Sequence, residues 1–469
     1  MKKKLIHTPE GFRDIFGIEC DRKRYLERRI EKLYRSYGYQ SIETPAFEFF
    51  RVFSEEVGTT STKDLYKVID RDGSTLVLRP DFTPSVARSV SMYFAEEDMP
   101  LRFCYHGNVY RNNHSLQGRL RESTQMGVEY LNDDSAEADA EVIALVVRTM
   151  KRAGLENFQV SIGHVGYFHS LVKEADLDSD TVDELRTLLK TRNRFGAQEL
   201  IEGLPISDKL KNAFNSMTDL YGGRDVLDRA EKSAVGKKAE KAIARLRKID
   251  HVLDMYGLRD YVMYDLGMVT EYKYYTGIIF QAYTYGSGDA LISGGRYNRL
   301  IEHFGKKAAA VGFAADIDSL LTAIERQKLS LPVTDIKIMI LYPEKMEKEA
   351  VHYADRLRDE GNDAACVRFD DERELSDYIA YGKRNQFREI RYFSSKEDAK
   401  LIRLNDGSEE MIASFAEDRD SESNDGTAMR ADRDGMSDNT TMAGNTATAK
   451  AAGNAAAVKM TGTADGGEQ

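Results

Sequence analysis

Three arginines, Arg111, Arg119 and Arg121, fall in the stretch YRNNHSLQGRLREST at residues 110–124, around a polar turn that contains a glycine. A loop of that kind can fold over a polyphosphate, because guanidinium groups form charge-assisted hydrogen bonds with phosphate oxygens. Directly after it, Gln125 and Glu129 stand four residues apart in RLRESTQMGVEYL. In a strand, where side chains alternate, both face the same side. A glutamate and a glutamine on one strand face, with tyrosines elsewhere in the chain, form either a ligand-facing cluster or a polar core whose groups satisfy one another. The residue types alone favour the core. Gly294, Gly295 and Arg296 read as a turn and a structural ion pair. His7, His106 and His164 have no metal-ligand spacing. Cys20, Cys104 and Cys366 are far apart and odd in number, so neither a metal centre nor a disulfide framework is expected, and no cofactor is called for.

The elements that must position these residues follow from hydrophobic periodicity. The chain has 469 residues, 31% charged and 41% hydrophobic, enough for two or three domains. A formal net charge of −11 argues against a general nucleic-acid binder, whose phosphate contacts need clustered Lys and Arg. The start, MKKKLIHTPEGFRD, has a basic run without an apolar segment behind it, and no apolar run reaches about 18 residues. With the cysteine usage, this predicts a protein of the reducing cytoplasm with no membrane span.

CDRKRYLERRIEKLYRSYGY is expected to be an amphipathic helix ending at Gly38, and IETPAFEFFRVF a strand leading into a turn. TLVLRPDFT, LRFCYHGNVYR and RLRESTQMGVEYL read as strands, and SVARSVSMYFAEE as a helix. SAEADAEVIALVVRTMKRAG is a second helix, opened by Ser135 as N-cap and closed by Gly154. Residues 171–258 are helical, after which YVMYDLG, TGIIFQAYTY and ALISGG return to strands. This order predicts an α+β domain over residues 1–330: an antiparallel sheet with surrounding helices and a helical insert at about 171–258. Residues 331–415 alternate the strands IKIMILY, AACVRF and EIRYF with two helices, a small α/β domain with a parallel or mixed sheet. Residues 416–469 contain no aromatic residue, Leu or Ile, cannot bury enough apolar surface to offset chain entropy, and are expected to be disordered.

Six stretches now carry a resemblance: TPEGFRD at 8–14, LRPDFT at 78–83, GNVYR at 107–111, GRLRESTQMGVEYL at 118–131, YYTGIIF at 274–280 and SGGRYNRL at 293–300. In this order over about 300 residues they resemble the catalytic core of histidyl-tRNA synthetases, which implies a class II synthetase fold. The family has a non-aminoacylating relative, the regulatory subunit of the short-form ATP phosphoribosyltransferase. The resemblance assigns a histidine pocket to Asp81, Thr83, Arg111, Gln125, Glu129, Tyr274, Tyr275 and Tyr297. There Asp81 pairs with the α-ammonium, and Glu129 accepts from the imidazole N–H. An acid with tyrosine hydroxyls can satisfy both ring nitrogens, which an apolar pocket cannot.

The ATP site of the synthetases fares worse in this sequence. Arg111 is kept, but Asn113 stands where a glutamate recognises adenine. Thr270 opens TEYKYY where the family has an arginine, and in GFAADIDSL Ser319 replaces another arginine while Asp316 replaces a glycine. Two cations are lost and an anion is added around one triphosphate, and removing a single electrostatic group of this kind typically lowers a rate by roughly 10²–10³. The resemblance therefore points to the regulatory subunits. It implies a short catalytic subunit as partner, free histidine as ligand, and a homodimer inside a larger hetero-oligomer, with no role for tRNA. An active histidyl-tRNA synthetase, or a synthetase-like protein sensing histidine for another partner, are the alternatives.

Overall fold

The computed structural model describes residues 7–54, 60–112, 120–269, 274–333, 337–395 and 398–412. Asn113, Thr270 and the tail at 416–469 lie outside the described residues. Helix α1 (Ile18–Ser36) buries Leu26, Ile30, Leu33 and Tyr34, a single face at helical spacing, and stops ahead of Gly38, whose φ of 81° suits a glycine. Chain order then gives β1 (Gln40–Ser41), β2 (Phe47–Phe49), β3 (Lys67–Ile69), β4 (Thr75–Leu78), α2 (Thr83–Tyr93), β5 (Leu101–Tyr110), β6 (Glu122–Leu131), α3 (Ala136–Arg152) and β7 (Phe158–His164). The insert follows as α4 (Val165–Glu174), α5 (Ser179–Lys190), α6 (Arg194–Gly203), α7 (Asp208–Met217), the short β8 (Tyr221–Gly222), α8 (Asp225–Ser233) and α9 (Lys237–Met255). The domain closes with β9 (Val262–Asp265), β10 (Ile278–Thr284), β11 (Ile292–Arg296), α10 (Asn298–His303), β12 (Ala310–Asp316) and α11 (Ile317–Arg326).

Among the described residues, nine strands form one sheet in the order β1-β5-β6-β12-β11-β10-β7-β9-β8. Its body is antiparallel as expected, but β1–β5 and β7–β9 pair in parallel, so the sheet is mixed. Two expected strands are shorter than their apolar runs. TLVLRPDFT leaves the sheet at Leu78, because Pro80 cannot donate to a ladder, and α2 begins at Thr83. IETPAFEFFRVF supplies only Phe47–Phe49 as β2 before a 3₁₀ turn at Phe50–Phe53. Strands β2, β4 and β3 make a separate small sheet.

The register decides which face of the large sheet is open. Glu129 lies opposite Phe103 on β5 and Gly312 on β12; Gln125 lies opposite Gly107 and Asp316. Continuing across, Gly312 pairs with Gly295, Ala314 with Ser293, and Ser293 with Gln281. Since side chains alternate, this face presents Gly, Ala and Ser through the sheet centre. The other face presents Met126, Val128, Phe313, Ile292 and Phe280, which pack in the main core with Val142, Ile143, Leu145 and Val146 of α3. Ser135 caps that helix, accepting the Ala138 N–H at 3.1 Å, and Gly154 follows its end with a φ of 86°.

The carboxy-terminal domain contains β13 (Lys337–Tyr342), α12 (Glu347–Asp359), β14 (Asp363–Arg368), α13 (Leu375–Arg384), β15 (Glu389–Phe393), β16 (Ala399–Arg403) and β17 (Glu409–Ile412). Its sheet order is β14-β13-β15-β16-β17, with the first three parallel and a closing antiparallel hairpin. It is the mixed alternative of the sequence expectation.

Candidate functional site

Small residues on one sheet face leave a cavity of about 570 Å³ above them. Its wall contains Asp81, Thr83, Arg111, Gln125, Tyr274, Tyr275 and Tyr297, seven of the eight residues assigned to an amino-acid pocket, and also Asp316 and Ser319. The openness depends on glycine. A Cβ at Gly312 would stand 1.8 Å from Glu129 Oε2 and 2.4 Å from the Val128 carbonyl oxygen, and one at Gly107 would meet Arg79 at 2.7 Å.

The turn between β4 and α2 carries Asp81 and Thr83, and it is braced from below. Arg79 donates through Nε to Asn108 O at 2.9 Å and through a terminal nitrogen to Thr44 O at 2.6 Å. Its guanidinium lies 4.0 Å from the Phe82 ring centroid, and Phe82 stacks on Tyr105 at 4.4 Å. Arg111 Nε donates to Pro80 O at 3.1 Å, which brings its charge beside Asp81. Burial pushes the Asp81 carboxyl above its ordinary range, while Arg111 and the Thr83 N–H pull it back.

Glu129 is set behind the wall. It is fully buried; Oε1 accepts from Thr83 Oγ1 at 2.7 Å and Oε2 accepts from the Tyr297 hydroxyl. Burial raises its pKa from 4.5 to about 8; the Tyr297 and Thr83 donors oppose the shift and Asp81 adds to it. The three tyrosines cluster, Tyr274 with Tyr275 at 4.5 Å and Tyr274 edge-on to Tyr297 at 6.2 Å between ring centroids. Gln125 is 7% exposed, and its Oε1 has no hydrogen-bond partner among the described residues. An acceptor buried at a cavity wall without a donor is a costly arrangement unless a ligand or water supplies one.

At the other end, Asp316 ends β12 and caps α11, its Oδ1 accepting the Ser319 N–H at 2.7 Å. The sequence reading missed Asp318. It lines the cavity yet is bonded inward, to the Thr124 N–H at 2.7 Å and Lys23 Nζ at 2.9 Å, with Arg13 at 3.4 Å. Lys190 was also missed: it reaches the wall from α5 in the insert, and only the fold brings it there. Arg296, expected in a structural ion pair, bonds the buried Asp139 at 2.7 Å, and Asp139 in turn holds Arg245 of α9 at 2.6 Å. His164 serves as N-cap of α4, accepting the Gly166 N–H at 3.0 Å.

The histidyl-tRNA synthetase family profile matches residues 11–320. An ATP phosphoribosyltransferase regulatory subunit from Acetivibrio thermocellus is 41% identical over 361 residues, covering 77% of this chain and 86% of that protein. A protein of the same name from Clostridium kluyveri is 37% identical over 386 residues, covering 82% and 98%. Among solved structures, an ATP phosphoribosyltransferase regulatory subunit/histidyl-tRNA synthetase from Bacillus halodurans superposes with a TM-score of 0.75 at 32% identity, over 83% of this chain and 99% of that one. The histidyl-tRNA synthetase of Nostoc sp. PCC 7120 shares the fold, with a TM-score of 0.73 at 18% identity over 87% and 97%.

Proposed function

This chain belongs to the family of ATP phosphoribosyltransferase regulatory subunits, and from that premise we propose that it activates a short catalytic subunit and reports free histidine to it. It is a non-catalytic regulatory subunit, acting at the first step of histidine biosynthesis. The observation that carries the histidine assignment is the buried, unpartnered Gln125 Oε1, in a wall that also offers a carboxylate, an arginine and tyrosine hydroxyls. Asp81 and Gln125 meet the α-ammonium, and Arg111 the α-carboxylate. The hydroxyls of Thr83, Tyr274, Tyr275 and Tyr297 face the imidazole, with Glu129 orienting Thr83 and Tyr297 from behind. Ser319 stands where a triphosphate would need a cation and Asp316 adds an anion beside it, which supports regulation over ligation. The working assembly is a homodimer within a larger cytoplasmic hetero-oligomer, without tRNA.

Feedback requires that histidine bind one state of the complex better than another, since a ligand shifts an equilibrium only by its differential affinity. The test is reconstitution with the short catalytic subunit and assay with and without histidine, using the wild type and Asp81→Asn. Both should activate. The variant should need about tenfold more histidine for half inhibition, corresponding to loss of roughly 1.4 kcal/mol at the ammonium. Failure of the wild type to activate, or an unchanged histidine dependence in the variant, would overturn the reading.

A further inference from the structure

Among the described residues the cavity wall carries three cations, Arg111, Arg121 and Lys190, against four acids, Asp81, Asp289, Asp316 and Asp318. Helix α11 brings a separate attraction for anions, because Asp316, Ser319 and Thr322 all lie in the wall and turn the helix N-terminus toward the cavity. A helix start offers unpaired N–H groups and partial positive charge, the makings of an anion seat.

Asp316 fills that seat itself. Its Oδ1 takes the Ser319 N–H at 2.7 Å, the bond a phosphate oxygen would otherwise make. No cation among the described residues pairs with its carboxylate, whereas Asp318 two residues on is bonded to Thr124 N, Lys23 and Arg13. A second observation stands beside it. Directly across the β6–β12 ladder is Gln125, 7% exposed, with its Oε1 unpartnered. Two neighbouring wall positions therefore carry oxygen acceptors, one charged and one unpartnered, and both favour a ligand group that donates.

We propose that Asp316 is a specificity-determining residue of the cavity: by capping α11 with a charged carboxylate it sets a negative charge in the anion seat, so that nucleoside polyphosphates are refused and a donor-bearing amino acid is admitted. This rests on the reading of the cavity as an amino-acid site and deepens it by naming the class of ligand that is excluded.

Asp316→Ser removes the charge but keeps a capping oxygen, and Asp316→Asn is a second neutral cap, so neither depends on a helix start left bare. The full chain and both variants are titrated with ATP, with inorganic pyrophosphate and, separately, with L-histidine. Both variants should bind ATP and pyrophosphate at least about tenfold more tightly than the wild type. Asp289→Asn, which neutralises a wall acid that does not cap α11, should give no such gain. If neither neutral cap gains affinity, or Asp289→Asn gains as much, the assignment to Asp316 is wrong. If the wild type does not bind L-histidine, the amino-acid reading fails, while the polyphosphate comparison between wild type and variants still reports on Asp316.

Discussion

At one end of the cavity a glutamate is buried completely and held by hydroxyls from two distant segments; at the other an aspartate is held by a backbone N–H three residues along its own helix. Glu129 draws together Thr83, 46 positions away, and Tyr297, 168 positions away. Asp316 needs only Ser319. The first arrangement is part of the fold, since the contact across the sheet, the glycine opposite and the turn before α2 must all be right together. The second is a local cap, which can be exchanged without disturbing the rest. A fold that loses one ligand while keeping another would change in this way, at the locally built end.

The contrast breaks most sharply at Gly312. An added Cβ there meets the Glu129 carboxylate at 1.8 Å and the Val128 carbonyl oxygen at 2.4 Å, and the second is backbone that cannot swing aside. Gly312→Ala should destabilise the chain by about 1–3 kcal/mol in denaturant unfolding and abolish histidine binding. Asp316→Asn, at the far end, should cost only a few tenths of a kcal/mol, because an amide caps nearly as well. If Gly312→Ala were as mild as the cap exchange, the two ends would not differ in kind.

A smaller effect should appear with pH. The folded chain holds the Glu129 proton up to about 8, where an unperturbed glutamate has released it near 4.5. Between those values the native state binds more protons than the unfolded chain, so unfolding free energy falls as pH rises. The contribution is fully present below 4.5 and lost as pH passes through about 8; Asp81, also raised, acts in the same sense. Unfolding curves from pH 5 to 9 should therefore slope downward in the wild type and flatten in Glu129→Gln. Equal slopes in the two proteins would mean that Glu129 is already ionised, its pair of hydroxyl donors outweighing burial.

Sequence made one of these ends far more visible than the other. Gln125 and Glu129 were readable as strand neighbours because a strand repeats every two residues, and the helix from Ser135 to Gly154 because cap and stop are local signals. The lock of Glu129 with Thr83 and Tyr297 was not readable, since neither spacing has a local period. Strand β12 escaped for a different reason: AAAVGFAAD puts Gly312 and Ala314 on the cavity face, Val311, Phe313 and Ala315 on the core face, and so shows no polar–apolar alternation. In the sequence Asp316 reads only as a charge where the resemblance expects a glycine. Its capping role was available in DIDS, an acid three residues ahead of the N–H it accepts, at the start of an apolar run. Asn113 and Thr270, expected from the resemblance to mark a degenerate nucleotide site together with Asp316 and Ser319, lie outside the described residues.

The smallest effect tests whether an occupant spans both ends. Ser319 lies in the wall, but what it contributes is its backbone N–H to Asp316; its hydroxyl makes no hydrogen bond among the described residues. Ser319→Ala leaves that N–H in place and should alter stability and histidine affinity by no more than about 0.5 kcal/mol. Thr83 is the matched case at the other end, a hydroxyl in the same wall that donates to Glu129 at 2.7 Å. Thr83→Ala leaves a fully buried carboxyl with one donor fewer and should cost about 1–3 kcal/mol. Calorimetric titration of both variants with L-histidine measures the difference directly. A loss at Ser319→Ala as large as at Thr83→Ala would mean that the ligand reaches the helix start and uses the serine hydroxyl. The division of the cavity into an end held by the fold and an end held by a local cap would then have to be redrawn around a longer ligand than histidine.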